Sequence, residues 1–425
     1  MPSDGAPAGL CVVHAATHEH TGAGAAAVRI HRAVTKAGLR SELLVLHGTG
    51  AEPGVEVVVS PRRRLPLDLL LRAENALLGL QKNGEAAYRS LGLVRGPGLA
   101  ALRRRRADVV HLHWIPGLLG VADVPDIAPP LVWTFHDQWP MCGAEHYTAS
   151  ARPREGYTPG NRVPGSGGLD LDRWAWERKR ARWRELAPVI ACPSRWLAGE
   201  IRASALFGGR EVHVLPNPLD TGLWRPQDRA ALRARLGLPV DRTLILFSAW
   251  SASTDRRKGF HVLSAALARL AARGLAADAD VVLLGATGSD RIEGFSAHWM
   301  GHVADEGLVS RICAACDVLA LPSLQDNYPN TLAEGMACGL AAVASDIGGI
   351  PDLVQHGKTG LLAPPGDAER LAEQLALVLR DAELRARLAE AGRRAVVLAC
   401  DERTVAARYL ELYRLALARR AAASR

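Results

Sequence analysis

The sequence is poor in cysteine, in aromatic residues other than tryptophan, and in long apolar runs. Its seven cysteines are an odd number scattered over 425 residues, which argues against a disulfide framework and favours reduced thiols. No uncharged apolar run approaches the ~18 residues of a membrane-spanning helix. The first residues lack the basic and apolar regions of a signal peptide. We therefore expect a cytoplasmic protein, either soluble or peripheral on the inner face of the membrane.

The composition is that of an ordinary globular protein with an excess of basic residues. Hydrophobic residues make up 48% and charged residues 23%, and the net charge is +8. Such a chain has room for two or three domains with sizeable cores. Basic clusters suit phosphates or an anionic membrane surface, although each cluster alone is equally well explained as a solvated helix face. No nucleic-acid module is present, so we expect no nucleic-acid partner. The basic clusters cover residues 62–64, 103–106 and 173–184.

Short apolar runs alternate with helical stretches, the pattern of parallel βαβ units. The pattern runs to residue 192 and then restarts. This predicts an α/β protein of two Rossmann-like domains, with a site at the carboxyl ends of the strands. We place the domains at 1–210 and 211–402, with a C-terminal helix, residues 403–425, packing back on the first. The predicted strands are residues 10–14, 42–46, 109–113, 131–135, 189–192, 244–248, 281–284, 318–321 and 341–344, and residues 212–215 lead into a connector dense in prolines.

Two segments have open interpretations. Residues 147–171 are rich in Gly, Pro and Arg without periodicity, which is typical of either a functional lid or a disordered loop. Residues 62–80 are basic and then leucine-rich. They form either a helix lying on a membrane near a lipid-linked acceptor or a core helix flanked by solvated arginines.

The most informative segment, residues 322–339, follows a strand and opens a helix. Asp326 lies in the loop and Glu334 within the helix, with seven residues between them. Amides at a helix start favour an anion such as a diphosphate. Carboxylates accept hydrogen bonds from sugar hydroxyls. The segment therefore predicts a site for a phosphorylated sugar ligand.

These residues resemble the acid–seven residues–glutamate motif of family-four retaining glycosyltransferases, which have the GT-B fold of two Rossmann-like domains facing each other across a cleft. The stretch from Asp326 is most similar to the branch acting on exopolysaccharides such as colanic acid. The resemblance implies that Glu334 binds the nucleotide ribose and Asp326 the transferred sugar. It further implies donor contacts from a loop made of Asn327, Tyr328, Pro329, Asn330 and Thr331.

A basic loop at residues 255–260 resembles the family loop that neutralises the donor diphosphate. Lys258 matches the family lysine. The family's Gly-Arg pair after the preceding strand is replaced by residues 248–251, Ser-Ala-Trp-Ser. Either Arg256 or Arg257 must then supply the arginine.

In the first domain, the strand ending in His136 and Asp137 resembles the family segment at the reacting sugar. The resemblance implies that His136 donates a hydrogen bond or supports a transient positive charge; a structural histidine is the alternative. Asp137 would orient His136 or contact the acceptor. Gly22 and Gly24 resemble the family glycine loop, which lets the backbone approach acceptor or phosphate.

We predict no metal and no other cofactor, apart from the nucleotide-sugar co-substrate. Cys313 and Cys316 lack a second pair and are interpreted as small buried residues. The two His-x-His triplets at 18–20 and 111–113 suggest ligands, but no Asp-x-Asp-like motif accompanies them. In a strand, His111 and His113 share one face.

The resemblance implies a retaining enzyme of the hexosyltransferase type. It would move a sugar from a nucleotide diphosphate sugar to a hydroxyl of a glycan or lipid-linked oligosaccharide, in polysaccharide biosynthesis. The first domain would bind the acceptor and the second the donor. The alternative is a non-catalytic subunit that binds nucleotide-sugar and assists a partner transferase.

Overall fold

The computed structural model describes residues 9–59, 61–82, 88–248, 255–288, 291–423 and 425, without the side chains of 61–63. The chain divides into two compact units. The first comprises Met1–Pro216 together with Val405–Arg425, and the second comprises Asn217–Thr404.

The strands and helices alternate along both units. The strands of the first unit are β1 (Cys11–His18), β2 (Arg40–His47), β3 (Val55–Val57), β4 (Gln81–Lys82), β5 (Val109–Leu112), β6 (Leu131–Thr134), β7 (Gly167–Gly168), β8 (Val189–Cys192) and β9 (Val212–Val214). Those of the second are β10 (Thr243–Ser248), β11 (Ala279–Leu284), β12 (Arg291–Ile292), β13 (Phe295–Trp299), β14 (Val318–Leu321), β15 (Ala341–Ser345) and β16 (Leu361–Ala363). The helices are α1 (Gly22–Lys36), α2 (Pro61–Leu78), α3 (Gly98–Arg103), α4 (Arg152–Glu155), α5 (Leu171–Trp183), α6 (Arg195–Ala203), α7 (Arg229–Leu236), α8 (Phe260–Ala272), α9 (Glu306–Ala315), α10 (Asn330–Ala337), α11 (Ala368–Arg380), α12 (Ala382–Cys400) and α13 (Glu402–Ala423).

The first unit is built on a parallel sheet of order β3-β2-β1-β5-β6-β8-β9. The chain leaves β1 toward one edge and later returns to its other side, so the strand order reverses between β1 and β5. In open α/β sheets, ligands bind beyond the carboxyl ends of the strands at such a point. The order therefore places a candidate site after β1 and β5.

The second unit repeats this plan, with a sheet of order β12-β13-β11-β10-β14-β15-β16. Among the described strands of this second sheet, only β12 and β13 pair antiparallel. The order reverses between β10 and β14, which are paired in parallel. The prediction of an α/β protein with two Rossmann-like sheets is confirmed.

The strands are buried on both faces, as parallel strands covered by helices must be. Helix starts are fixed by side-chain caps: the carboxylate of Asp228 accepts from the amide of Ala231, and the hydroxyl of Ser194 from the amide of Leu197. Caps of this kind satisfy amides that lack a partner within the helix. All seven cysteines, including Cys313 and Cys316, are buried and free.

Helix α13 completes the core of the first unit. Its residues Val405, Tyr409 and Tyr413 are fully buried in one cluster with Val12 and Ile30. The Tyr413 hydroxyl lies 3.0 Å from Nδ1 of His111. The last helix and the first strand therefore share one hydrophobic core.

Residues 147–171 fold into short ordered elements instead of an extended loop. Arg152 is buried and forms a bidentate ion pair with Asp170, at 3.1 and 2.7 Å. The guanidinium of Arg162 donates to the carbonyls of Gly167, Gly168 and Leu169. Arginines that bind a carboxylate and backbone carbonyls hold this segment in place of regular hydrogen bonding.

Helix α2 is not a core helix. Leu67 and Glu74 are buried on one side, and the Glu74 carboxylate accepts from the amides of Gly92, Leu93 and Val94. The other side exposes leucines, including 68% of Leu65 and 56% of Leu69 and of Leu70. Among the described residues, no helix is both long enough and apolar enough to cross a membrane.

Candidate active site

Lys258 and Asp326 meet at the reversal point of the second sheet. Lys258 lies in a 3₁₀ turn after β10, and Asp326 lies in the loop after β14. The ammonium Nζ of Lys258 donates to Oδ2 of Asp326 at 2.7 Å, with the carboxylate mostly buried. A cation and an acid that follow two adjacent strands are thereby in direct contact. The sequence predicted both residues to belong to the donor site.

The turn that carries Lys258 is fixed by Asp255 and Gly259. Asp255 caps the turn through the amide of Arg257 and also binds the guanidinium Nε and Nη2 of Arg257, at 3.1 and 2.7 Å. Gly259 has φ +74°, and a Cβ there would lie 1.8 Å from the carbonyl oxygen of Pro322. Only glycine permits this close approach between the two loops. Arg256 is exposed.

Helix α10 begins directly after the Asp326 loop. Pro329 is its N-cap. In the first turn, Oδ1 of Asn330 accepts a hydrogen bond from the side-chain amide Nδ2 of Asn217 at 2.9 Å. Tyr328 points into the core, where its hydroxyl lies 3.1 Å from Sγ of Cys400. The side chain of Tyr328 is therefore committed to the core, whereas Asn330 and Thr331 are partly exposed and Glu334 lies largely buried one turn into the helix.

In the first unit, the glycine loop follows β1. Gly22 opens α1 with φ +33°, and a Cβ on Gly24 would lie 2.1 Å from the carbonyl oxygen of His18. Glycine at 24 thus allows the helix to start against the strand end. This loop lies at the carboxyl end of β1, where the strand order reverses.

Asp137 is surrounded by donors. Its Oδ2 accepts from the indole of Trp114 at 2.8 Å and lies 2.6 Å from Nδ1 of His146, while Oδ1 accepts from the amide of Trp139 at 3.0 Å. These contacts with His146, Trp139 and Trp114 lower the pKa of the Asp137 carboxyl against the opposing effect of burial. The carboxylate therefore orients the Trp114 and His146 rings.

His136 ends a line of three imidazoles. Nδ1 of His14 lies 3.0 Å from Nε2 of His113, and Nδ1 of His113 lies 3.1 Å from Nε2 of His136. Burial lowers the pKa of His136 to about 4, although the nearby Asp137 acts in the opposite direction. Burial also holds the pKa of His14 and His113 well below the ordinary range. The three rings are therefore neutral near pH 7.

His111 joins His14 and His113 in a cluster whose ring nitrogens lie within 4.8 Å of one another, the only such metal-competent group among the described residues. Its Nδ1 meets Tyr413 and its Nε2 lies 2.8 Å from the hydroxyl of Thr134. Strand alternation predicts that His111 and His113 share one face, but no sequence signal pointed to His14. His14 is paired with His111 in the β1–β5 register, which the sequence does not reveal.

Other contributors were also missed: Asn217, Asp255 and Gly259 in the second unit, and Trp114 and His146 in the first. Asp255 and Gly259 lie in the 255–260 segment that resembles the family's basic loop, and their positions there were the available signal. Residues 249–251, which replace the family Gly-Arg pair, lie outside the described residues.

Two family models and known proteins are similar to this chain. The family described as Glycosyltransferase Family 4 matches residues 20–223, and the one described as Glycosyl transferases group 1 matches residues 242–381. A D-inositol 3-phosphate glycosyltransferase of Xylanimonas cellulosilytica is 30% identical over 93% of this chain and 92% of its own.

Solved structures share the fold across the chain. Sucrose-phosphate synthase of Thermosynechococcus elongatus superposes with a TM-score of 0.65 and 18% identity, covering 96% of this chain and 99% of its own. HepE of Anabaena, in complex with UDP-glucose, gives a TM-score of 0.62 and 18% identity, covering 95% and 98%. The chain therefore belongs to family 4 of the glycosyltransferases, enzymes of the GT-B fold that transfer a sugar from a nucleotide sugar.

Proposed function

We propose that this enzyme is a retaining glycosyltransferase that moves a hexose from a nucleotide diphosphate sugar to a hydroxyl of a glycan or lipid-linked oligosaccharide. The observation that carries the proposal is the ion pair between Lys258 and Asp326 at the reversal point of the second sheet. Glu334 lies in α10, the helix that follows the Asp326 loop. The second unit would bind the donor, and the first unit the acceptor.

Each donor residue has a distinct role in this proposal. Lys258 turns from Asp326 to the diphosphate, where its charge stabilises the negative charge that grows as the nucleotide leaves. Asp326 then accepts hydrogen bonds from hydroxyls of the transferred sugar, and Glu334 accepts them from the ribose. The backbone at the start of α10 completes the anion site, because its amides point along the helix axis toward the ligand.

Arg256 is the better candidate for the second diphosphate contact. Arg257 is already held by Asp255 through two hydrogen bonds, whereas Arg256 is exposed on the same turn. Comparing Arg256→Gln with Arg257→Gln tests the assignment. We expect the first to weaken nucleotide binding and the second to act through the shape of the turn; the reverse order of nucleotide affinities would contradict the assignment.

Retention is explained by front-side displacement. The bond between the anomeric carbon and the diphosphate oxygen breaks while the acceptor oxygen bonds to the same face, and the acceptor proton passes to the departing oxygen. Asp326 already pairs with Lys258 and is assigned to binding, so the proposal uses no carboxylate nucleophile of the hydrolase kind. Cationic side chains supply the charge stabilisation, and we propose that the reaction needs no metal. Chelation with EDTA should leave the rate unchanged; a rate restored only by added divalent cation would contradict this.

In the first unit, the proposed acceptor residues gather after β1 and β6. His136 would donate a hydrogen bond toward the reacting sugar, and the Gly22–Gly24 loop would admit the acceptor or a phosphate close to the backbone. Asp137 contributes by fixing the Trp114 ring through the indole hydrogen bond.

We further propose that α2 rests on an anionic membrane surface that carries the acceptor. At 3.6 residues per turn, the exposed residues Leu65, Leu69, Leu70 and Leu77 fall within an arc of about 140°, which also contains Ala73 and Ala76. Arg64 and Arg72 are exposed outside this apolar arc. An apolar face with Arg72 at its border suits insertion among acidic lipid headgroups, whereas Arg64 lies on the opposite side of the helix, beside His47.

Vesicle sedimentation tests this surface. The wild-type chain should pellet with vesicles containing phosphatidylglycerol, and the double variant Leu69→Glu with Leu70→Glu should stay in solution. Leu398→Glu is the matched control, because Leu398 is 82% exposed on α12 of the second unit. Wild-type protein that fails to pellet, or a double variant that pellets equally, would refute the membrane contact.

A donor screen tests the enzymatic proposal. The protein is titrated with UDP, GDP, ADP and dTDP and their sugars in a thermal-shift assay, and the stabilising donor is then incubated with candidate acceptors. One nucleotide should stabilise the wild type, Glu334→Gln should lose most of that shift, and the product should keep the donor's anomeric configuration by NMR. Glu383→Gln, an exposed acid of α12, is the control. An inverted product would overturn the retaining assignment, and no nucleotide response would overturn the donor site.

A further inference from the structure

Three histidines from neighbouring strands form a hydrogen-bonded line in the first unit. His14 lies within β1, His113 directly follows β5, and His136 follows β6 by two residues. The ring planes of His14 and His113 differ by 14°, and those of His113 and His136 by 29°. Near-parallel rings with nitrogens 3.0 and 3.1 Å apart are suited to N–H···N hydrogen bonds. His14 and His113 are buried, whereas His136 is partly exposed.

A neutral imidazole has one N–H and one bare nitrogen. His113 uses both of its nitrogens within the line, so it must donate to one neighbour and accept from the other. The line therefore has only two arrangements. Either protons point from His14 toward His136, or all of them point the other way.

The burial of His14 distinguishes the two arrangements. Nε2 of His14 has no hydrogen-bond partner among the described residues. If the protons pointed toward His14, that nitrogen would carry a buried N–H without an acceptor, which is rare in proteins and costly. In the other direction Nε2 of His14 is a bare nitrogen, and the N–H groups of His14 and His113 each have an acceptor in the next ring.

We propose that His14 and His113 are positioning residues that fix His136 as the tautomer with its proton on Nδ1. Nε2 of His136 then accepts the N–H of His113, and this lone pair is unavailable as a general base. Nδ1–H is then the only N–H of the ring, so any hydrogen bond that His136 donates comes from Nδ1. That His136 serves sugar transfer rests on the proposed function; its tautomer rests on the first unit alone.

A metal ion bound to this cluster would need a different arrangement. His111 and His113 have both ring nitrogens within hydrogen-bond distance of a partner, so at least two of these contacts would break. No carboxylate belongs to the cluster. Three neutral imidazoles would leave the full charge of a divalent ion uncompensated in a buried site, which is costly. The hydrogen-bonded line needs no such compensation.

Ring ¹⁵N NMR of histidine-labelled protein tests the proposal, with the His136 signals assigned by their loss in His136→Ala. In the wild type at pH 7, we expect a protonated Nδ1 and a bare Nε2. In His113→Leu the exclusive tautomer should become a mixture. In His113→Asn it should be restored, because the side-chain amide offers a donor near the former Nδ1 position.

His111→Asn is the matched control. It lies in β5, two residues from His113 and outside the line, so it should leave the His136 tautomer unchanged whatever its effect on stability. A proton on Nε2 in the wild type would overturn the proposal, as would an unchanged tautomer in His113→Leu. Stoichiometric zinc in the purified protein, with His136 signals that shift on its removal, would overturn it in favour of a metal site. None of these readings needs a donor or an acceptor, so the proposed function can fail separately.

Discussion

The two units share a sheet plan with a reversal of strand order, yet the side chains at the strand ends use opposite chemistry. Ten of the 14 histidines lie in the first unit and four in the second, and the first unit's candidate site is a line of buried imidazoles. The second unit places an ammonium against a carboxylate, Lys258 with Asp326, at the equivalent position. The first site is built from neutral rings and the second from paired charges.

The difference teaches how a strand end can hold polar groups. In the first unit, burial lowers histidine pKa values, so charge is avoided. In the second unit, charge is retained because each group has an opposite partner nearby, which an anionic ligand can replace. Lowering the pH should therefore destabilise mainly the first unit, and an anionic nucleotide should bind mainly to the second.

The largest effect is expected from removing the cation of the second unit. Lys258→Ala should lower kcat/KM by about 10²–10³-fold, the usual result of losing one group that stabilises transition-state charge. It also leaves Asp326 without its partner at 2.7 Å. Initial rates of nucleotide release measure the effect.

Lys358→Ala is the matched control for that variant, because Lys358 is exposed in a turn of the same unit. It should react at the wild-type rate. Equal rates in all three proteins would remove Lys258 from the mechanism and end the contrast between the two units.

A smaller effect should follow acidification, and it should fall on the first unit. The pKa of His136 is about 4 when folded against an ordinary 6.5, so the unfolded chain binds more protons between these values. The contribution of neutral His136 to the free energy of unfolding is fully present above pH 6.5 and is lost as the pH falls toward 4. His136 alone would account for about 2 kcal/mol at pH 5.

Hydrogen exchange at pH 7 and pH 5, corrected for the intrinsic exchange rate, resolves this loss by unit. Peptides from β1 and β5 should lose protection, and peptides from β10 and β14 should keep it. Equal losses in both sheets would mean that the histidines do not set the acid response.

The smallest effect concerns the contact between α13 and the first sheet. Tyr413→Phe removes the hydroxyl beside Nδ1 of His111 and should lower the free energy of unfolding by about 1–2 kcal/mol. Tyr88→Phe, at a hydroxyl on a side chain that is 55% exposed, should change it by less than about 0.5 kcal/mol. Chemical denaturation of both variants makes the comparison. Equal values would show that the buried hydroxyl adds nothing to the core.

The sequence was informative where one local signal decides the structure. The strand from 318 to 321 and the loop and helix after it were predictable, because a parallel strand buried on both faces is a continuous apolar run and a helix start has its own residues. The ends of β10 and β14 could be expected at one edge of a sheet. Lys258 and Asp326 could thus be assigned to one site before their distance was known.

The rest depends on contacts between residues far apart in the chain. β13 was missed although its five residues alternate apolar and polar, because so short a run is a weak signal and its pairing with β11 makes it a strand. The histidine line needs the register of β1 against β5, across 99 residues. Residues 147–171 are ordered by ion pairs such as that between Arg152 and Asp170. The composition of the segment does not predict which arginine pairs with which acid.

The shared core of β1 and α13 also has a consequence for biosynthesis. Tyr413 follows its partner His111 by 302 residues, so a ribosome must translate the whole second unit before the first can close its core. The second unit is one continuous stretch, Asn217–Thr404, and its polypeptide is complete before α13 emerges. In a nascent chain the N-terminal domain usually folds first. We expect the reverse order in this protein, because the first sheet cannot complete its core until α13 has been synthesised.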